Sequence, residues 1–235
     1  MTMNNREATA QDPGLIVAID KPAEWTSFDV VNKIRRITGV KKVGHAGTLD
    51  PFATGVLIVC VGRSATRQVD DLMGGEKEYV ADIRLGSETD TMDLTGETTL
   101  EMPVPALTRE AVEAVLPQFV GEIEQEIPAF SAAKIGGQRS YKLARAGKAV
   151  PHRTKWVRVD QLTLEDLNDT CLTVRVSCGK GTYIRTLGRD IARALGSAGH
   201  LSRLVRTRVG EYTLEKALNL EAFQHNWQER TALPK

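Results

Sequence analysis

The chain of 235 residues lacks the features that mark several large classes of protein. No apolar run approaches the length that crosses a membrane, and residues 1–13 are polar, without an apolar signal segment. The cysteines Cys60, Cys171 and Cys178 are odd in number, and neither they nor the four histidines have metal-ligand spacing. We therefore expect buried free thiols and no structural zinc. A dinucleotide fingerprint and a P-loop are also missing, so the sequence indicates no nucleotide cofactor.

The composition is that of an ordinary globular enzyme. Hydrophobic residues make up 41% of the chain and charged residues 26%, which are average values for soluble domains. A chain of this length can bury a full core, and we expect a soluble cytoplasmic protein. The predicted organisation is a flexible leader over residues 1–13, a large domain over residues 14–210, and a short extension over residues 211–235.

The net charge of +1 conceals an uneven distribution of charge. Residues 134–158 contain eight Lys or Arg and no acid, and residues 175–208 contain eight more with Asp190 as the only acid. A clustered basic face suits a polyphosphate partner, because each neutralised phosphate releases counterions. The alternative is a solvated surface whose charges serve solubility. The charge distribution by itself leaves both interpretations open.

Hydrophobic periodicity predicts that strands and helices alternate along the chain. A helix should begin at a Ser27 cap and end at Gly39, and a second should run from Thr108 to Leu116. A third is expected from about Thr186 to Leu195. The expected strands lie at residues 15–19, 56–61, 79–85, 157–159 and 172–176. These elements predict a mixed α+β fold.

The most informative segment is the run from Gly44 to Gly55, which reads Gly-His-Ala-Gly-Thr-Leu-Asp-Pro-Phe-Ala-Thr-Gly. Its glycines allow positive φ and a close approach by a partner, and Pro51 keeps Asp50 out of the helical region. A lone carboxylate in such a loop is a candidate nucleophile or base. The alternative is a turn in which Asp50 hydrogen-bonds to its own backbone.

This run resembles the catalytic signature of the tRNA pseudouridine synthase B family, G-H-x-G-x-L-D-P-x-A-x-G, and meets each of its fixed positions. Members of that family isomerise uridine 55 in the T-loop of tRNA. Further segments resemble the family's other blocks in the same order: residues 21–27, 62–67, 77–79, 89–96, 131–145, 179–185 and 199–206. The chain departs from the family at Glu24, where glycine is usual, at Arg67, where lysine is usual, and at Ile127, where proline is common.

The resemblance implies the pseudouridine synthase fold, in which a large mixed, mostly antiparallel sheet carries flanking helices and a basic RNA-binding insertion, here at about residues 130–155. It also implies a reaction without cofactor or metal, with three catalytic residues. Asp50 would be the ionised catalytic carboxylate, Arg185 would pair with it, and Tyr79 would stack on the target uracil. The residues by themselves leave two alternatives, an ordinary surface arginine at 185 and a core tyrosine at 79.

A larger set of residues would contact the RNA if the resemblance holds. His45 would fill the space that the extruded base vacates, and Tyr183 would support the pocket wall; core packing is the alternative for both. Residues 134–153 resemble the insertion that closes over the RNA, and we expect them to be mobile without it. The full set is Lys21, His45, Arg67, Asp90, Lys134, Lys142, Arg145, Tyr183 and Leu204.

The expected partner is the T-arm stem-loop of tRNA, with no membrane, no obligatory protein partner and a monomeric chain. Many bacterial members carry a C-terminal RNA-binding PUA domain, for which residues 211–235 are too few; a natural short form and a truncation both stay open. Two other functions also stay open. One is a guide-RNA-dependent enzyme of the same superfamily that works with protein partners, and the other is a tRNA-folding chaperone whose catalysis is secondary.

Overall fold

A computed structural model describes Asp12 and residues 14–232, without the side chain of Lys134. The leader predicted for residues 1–13 therefore lies outside the described residues except for Asp12. Contacts group the chain into two compact units. The first unit contains the residues up to Met73 together with those from Tyr212 onward, and the second contains Gly74–Glu211. The domain predicted over residues 14–210 thus contributes to both units.

Strands and helices alternate through both units. The strands are β1 (Leu15–Lys21), β2 (Val43–Ala46), β3 (Thr54–Val61), β4 (Lys77–Leu85), β5 (Ser87–Thr89), β6 (Thr98–Glu101), β7 (Gly121–Glu126), β8 (Lys134–Ile135), β9 (Gln138–Arg139), β10 (Thr154–Asn168), β11 (Cys171–Cys178), β12 (Gly199–Val209) and β13 (Tyr212–Thr213). The helices are α1 (Ser27–Thr38), α2 (Arg63–Thr66), α3 (Val69–Gly74), α4 (Arg109–Val115), α5 (Ser140–Arg145), α6 (Ile184–Ala194) and α7 (Leu220–Ala232), with short 3-10 turns at Leu116–Phe119 and Leu214–Lys216. Each predicted strand lies within β1, β3, β4, β10 or β11, so these predictions are confirmed.

In the first unit, β3 pairs antiparallel with β1 and with β2. Residues 55–61 of β3 are all buried, as an apolar run on both strand faces predicts. Val30, Val31 and Ile34 of α1 and Phe223 of α7 join β3 in one hydrophobic core. This core supports the loop between β2 and β3, which contains Asp50.

The ends of α1 show where local sequence signals suffice and where they do not. Gly39 ends the helix with a φ of 70°, as predicted. The prediction that Ser27 caps the other end is wrong. Thr26 is the N-cap, and its hydroxyl accepts from the Asp29 backbone N–H while the Asp29 carboxylate accepts from the Thr26 backbone. Ser27 is instead buried within the first turn.

Glu24 has a φ of 65°, which is a left-handed conformation that favours glycine. We expect Glu24→Gly to raise the free energy of unfolding by roughly 0.5–1 kcal/mol, because glycine adopts this φ without a steric penalty. Urea unfolding would measure the change. Ala23→Gly is the matched control, since the adjacent Ala23 does not have positive φ and glycine there should only lower stability. An unchanged or lower stability of Glu24→Gly would contradict the expectation.

The second unit is built on an antiparallel sheet with the strand order β12-β4-β11-β10-β7. Helix α6 packs closely on this sheet, since a Cβ added at Gly188 would lie 2.7 Å from the Leu201 Cδ2 atom. The Thr108 hydroxyl caps α4 by accepting from the Ala111 N–H, as predicted. Helix α6 begins at Ile184, two residues before the predicted start, and this difference places Arg185 in its first turn.

The predicted α+β class with a large, mostly antiparallel sheet is confirmed. None of the described helices is long and apolar enough to span a membrane. Cys60, Cys171 and Cys178 are free thiols, of which Cys60 and Cys178 are buried and Cys171 is partly buried. Burial raises the pKa of Cys178 to about 11, so this thiol stays protonated at neutral pH and is a poor nucleophile.

Candidate functional site

The Asp50 loop connects β2 to β3 and needs glycine at two of its positions. Gly47 has a φ of 86° and Gly55 a φ of 98°, conformations that side chains with a Cβ rarely adopt. The Ala53 N–H donates to the Asp50 carbonyl at 3.1 Å and closes a turn around Pro51. Asp50 itself is half-buried. The sequence pattern therefore presents one carboxylate on a tightly turned loop.

Two buried polar side chains, Ser27 and Lys21, fix the conformation of this loop through hydrogen bonds to the backbone of Leu49 and Pro51. The Ser27 hydroxyl donates to the Leu49 carbonyl at 3.1 Å and accepts from the Leu49 N–H at 2.9 Å. Lys21 is 0% exposed, and its Nζ donates to the carbonyls of Pro22, Trp25 and Pro51 at 2.7, 2.6 and 3.1 Å. An ammonium held in this way positions the residue next to Asp50. A direct contact between Lys21 and RNA stays a prediction.

Two other predicted RNA contacts lie in the same unit. His45 is half-buried on β2, opposite Val59 of β3. Arg67 is exposed at the C-terminal end of α2, where its guanidinium is accessible to a phosphate. Their contacts with RNA stay predictions.

In the second unit, the guanidinium of Arg185 is fixed from several sides. It is 5% exposed, and its Nη1 lies 3.5 Å from Oδ2 of Asp93, which is also 5% exposed. Nη1 donates to the Thr91 carbonyl at 2.5 Å, and Nη2 donates to the Phe130 carbonyl at 2.8 Å. Arg185 is therefore no ordinary surface arginine. A buried charge with this many partners has one orientation, which suits a group that must align a reacting carboxylate.

Asp93 is the buried charged partner of Arg185, and the sequence analysis did not predict it as a site residue. Its Oδ1 accepts from the hydroxyls of Thr91 and Thr95 at 2.8 and 2.5 Å and from the Thr95 N–H at 2.9 Å. The residue predicted from the same T-D-T-M-D segment is Asp90. Asp90 is exposed, and its carboxylate accepts from the Glu97 backbone N–H at 2.9 Å. The sequence feature that could have identified Asp93 is the presence of Thr91 and Thr95 two residues before and after it. Such threonines predict that the carboxylate between them is hydrogen-bonded locally.

Tyr79 lies on the face of the second-unit sheet that α6 covers. In the β4–β12 pair, Tyr79 is opposite Arg206, and Ala81 is opposite Leu204. Directly opposite residues share a face, so Tyr79 and Leu204 share the face on which α6 packs. Tyr79 is 7% exposed and Leu204 5%. Tyr79 thus has the burial of a core tyrosine, while its phenol belongs to the same side of the sheet as the Arg185 helix.

Tyr183 stands at the N-terminal end of α6, two residues before Arg185. The Lys155 Nζ lies 4.2 Å from the centroid of its ring and donates to the Gly181 carbonyl. Burial lowers the pKa of Lys155. The Tyr183 backbone is bound by the side chain of Gln125. These contacts give Tyr183 a fixed position, as a pocket wall requires.

The basic insertion contains the β8–β9 hairpin and α5. Its Ser140 is buried, with an N–H that donates to the Ala133 carbonyl and a hydroxyl that donates to the Ala129 carbonyl. Lys142 and Arg145 are exposed on α5. The Lys134 side chain lies outside the described residues, so its predicted RNA contact is untouched by the structure. Mobility of the insertion without RNA stays a prediction.

The predicted site residues are distributed over both units. Asp50 belongs to the first unit, whereas Tyr79 and Arg185 belong to the second, so the Asp50–Arg185 pair stays a prediction. Among the described residues, no group of three or more His, Cys, Asp or Glu could hold a metal ion. The first unit thus offers a loop carboxylate, and the second offers a fixed guanidinium with the ring of Tyr183 two residues before it. A carboxylate on such a loop is a candidate for acid–base or nucleophilic chemistry.

Comparison with family models assigns nearly the whole chain. Residues 35–184 match the model described as TruB family pseudouridylate synthase (N terminal domain). Residues 185–234 match the model described as tRNA pseudouridylate synthase B C-terminal domain. The second match includes Arg185 and residues 211–234, nearly all of the segment predicted to be a short extension.

Curated relatives and solved structures agree with these models. The tRNA pseudouridine synthase B of Phocaeicola vulgatus is 49% identical over 89% of this chain and 92% of its own length. That of Parabacteroides distasonis is 50% identical over 88% of this chain and 91% of its own length. A chain in the crystal structure of a Cbf5-Nop10-Gar1 complex is 28% identical with a TM-score of 0.69. That match covers 93% of this chain but only 56% of the solved chain.

Proposed function

Because the chain belongs to the TruB family of pseudouridylate synthases, we propose that it converts uridine 55 in the T-loop of tRNA to pseudouridine. The observation that carries this proposal is the intact Asp50 loop, in which glycines with positive φ and the buried Lys21 and Ser27 present one carboxylate. Relatives named tRNA pseudouridine synthase B that match about nine-tenths of the chain support tRNA as the substrate. The protein is then an isomerase that acts in the cytoplasm on the T-arm.

The reaction rearranges bonds without gaining or losing atoms. The bond between N1 and C1′ breaks, the uracil turns, and C5 bonds to C1′. The proton on C5 is then lost, and N1 acquires one. Asp50 serves as the ionised carboxylate that attacks the ribose or the base, or that assists loss of a proton from the sugar. This chemistry needs no electron carrier.

The remaining site residues would orient the reacting groups. The guanidinium of Arg185, oriented by Asp93, pairs with the Asp50 carboxylate and keeps it ionised. In this proposal Tyr79 stacks on the uracil and helps to remove the proton from C5 late in the reaction. The target lies in a folded loop, so the enzyme must extrude it at a cost of a few kcal/mol. His45 would fill the vacated space.

The basic insertion would supply much of the affinity for RNA. We expect the double change Lys142→Ala and Arg145→Ala to weaken tRNA binding and to reduce the slope of log K against log[salt] by about 1 for each phosphate that is no longer neutralised. Filter binding at several salt concentrations would measure both quantities. Lys216→Ala removes an exposed lysine outside the insertion and serves as the control. An unchanged slope in the double variant would show that the insertion does not contact phosphate.

Release of tritium from tRNA labelled at C5 of uridine tests the proposal directly. Wild-type protein alone should release the label, and the product should map to the T-loop uridine. This assay also separates the alternatives. A guide-RNA-dependent enzyme, such as one working in a complex with other proteins, would release nothing without additions. A chaperone would bind tRNA and release nothing. Either result would overturn the proposed function.

A further inference from the structure

The last two residues of β7 hold the first turns of α6. The Gln125 side chain makes two hydrogen bonds to the Tyr183 backbone: its Oε1 accepts from the N–H at 2.8 Å, and its Nε2 donates to the carbonyl at 3.1 Å. The neighbouring Glu126 accepts from the Thr186 hydroxyl through its carbonyl and pairs with Arg189 through its carboxylate. The end of β7 therefore binds Tyr183, Thr186 and Arg189, which are spaced three residues apart along one face of the start of α6.

We propose that Gln125 is a positioning residue for Arg185, so that its two hydrogen bonds set the orientation of the Arg185 guanidinium. This inference rests on the proposed function, in which Arg185 orients Asp50. Gln125 itself touches no reacting atom. Its influence passes through the backbone of Tyr183, two residues before Arg185.

The N-terminal end of α6 depends on an outside partner for its geometry. The first N–H groups of a helix have no partner within the helix, and Tyr183 at the N-cap provides no side-chain cap. Gln125 is 1% exposed and uses both polar groups of its amide on this one residue. A buried amide is costly unless fully hydrogen-bonded. An apolar side chain would fill the same space, so packing by itself does not require glutamine here.

A small rotation of the first turn of α6 would move the Arg185 guanidinium away from its hydrogen-bond and ion-pair partners. It must meet Asp93, the Thr91 carbonyl and the Phe130 carbonyl together. These partners come from other segments of the second unit, so α6 must begin in the right register and direction. Misplacement of a positioned group by about 1 Å can lower a rate about 10²-fold. Gln125 is the side chain that binds the start of α6 from β7.

The first experiment compares Gln125→Met with wild type in single-turnover tritium release and in tRNA binding. Methionine keeps the length of the side chain but makes neither hydrogen bond. We expect the rate to fall about 10- to 100-fold with an unchanged Kd for tRNA, and a thermal transition that stays cooperative but moves to lower temperature because the Tyr183 N–H loses its acceptor. Gln125→Glu keeps the acceptor for the Tyr183 N–H and should retain more activity. Gln161→Met, at an exposed glutamine of β10, is the matched control and should behave as wild type.

A double-mutant cycle with Arg185→Lys separates positioning from a general structural role. If Gln125 acts through Arg185, Gln125→Met should cost little further rate once Arg185 is already lysine. Equal losses in both backgrounds, or an unchanged rate for Gln125→Met, would overturn the positioning role. If Gln125→Met lost rate, tRNA affinity and thermal stability together, the positioning role would also be overturned. Absence of release by the wild type would overturn the proposed function as well, so the two failures are distinguishable.

Discussion

Asp50→Asn is expected to lower the single-turnover rate of pseudouridine formation by at least roughly 10³-fold, on the order of 4 kcal/mol of activation free energy. The amide has nearly the shape of the carboxylate but lacks its charge, so it is a poor nucleophile and base. The loop should keep its conformation. The Asp50 backbone carbonyl still accepts from Ala53, and the contacts of Lys21 and Ser27 with the loop are unchanged.

Binding and catalysis should separate in this variant. Affinity for tRNA should stay near that of the wild type, because most of it comes from phosphate contacts. Tritium release and filter binding on the same preparations would measure both. Asp70→Asn, at an exposed aspartate of α3, is the control for a change of one charge in the same unit. Release by Asp50→Asn within tenfold of the wild-type rate would remove Asp50 from the mechanism.

The second large effect is expected at Asp93, whose carboxylate is buried with the Arg185 guanidinium. Asp93→Asn should lower the free energy of unfolding by about 3 kcal/mol, because removing one partner leaves a buried charge uncompensated. The rate should fall about 10²-fold, since the guanidinium loses the group that orients it. Asparagine can still accept from the Thr95 N–H, so the local turn should survive.

Asp90→Asn is the matched control because it makes the same chemical change three residues away. Asp90 is exposed and its carboxylate bonds to one backbone N–H, so we expect a loss of stability below about 1 kcal/mol and, at saturating tRNA, a rate well above that of Asp93→Asn. Urea unfolding and single-turnover assays would compare the two variants. Equal effects of the two changes would contradict the assignment of Asp93 as the partner of Arg185.

Local features of this protein followed from the sequence. The apolar run at residues 56–61 became a buried strand, Gly39 ended α1, and Thr108 capped α4. Gly47 and Gly55, on either side of Asp50, adopted the positive φ that the loop pattern allowed. All of these depend on backbone sterics and periodicity within a few residues, which are readable from neighbours in the chain. The family resemblance likewise rested on short motifs.

Other choices were made only by the tertiary structure. Ser27 and Thr26 are both good caps, and burial of Ser27 against Leu49 decided which of them caps α1. Asp90 and Asp93 lie in the same motif, and the fold brings the guanidinium of Arg185, which is distant in sequence, next to Asp93. Lys21 became an internal anchor, and Gln125 joined an N-cap far along the chain. Such roles depend on partners that are distant in sequence, because a buried polar group takes its function from whatever the fold brings within hydrogen-bonding distance.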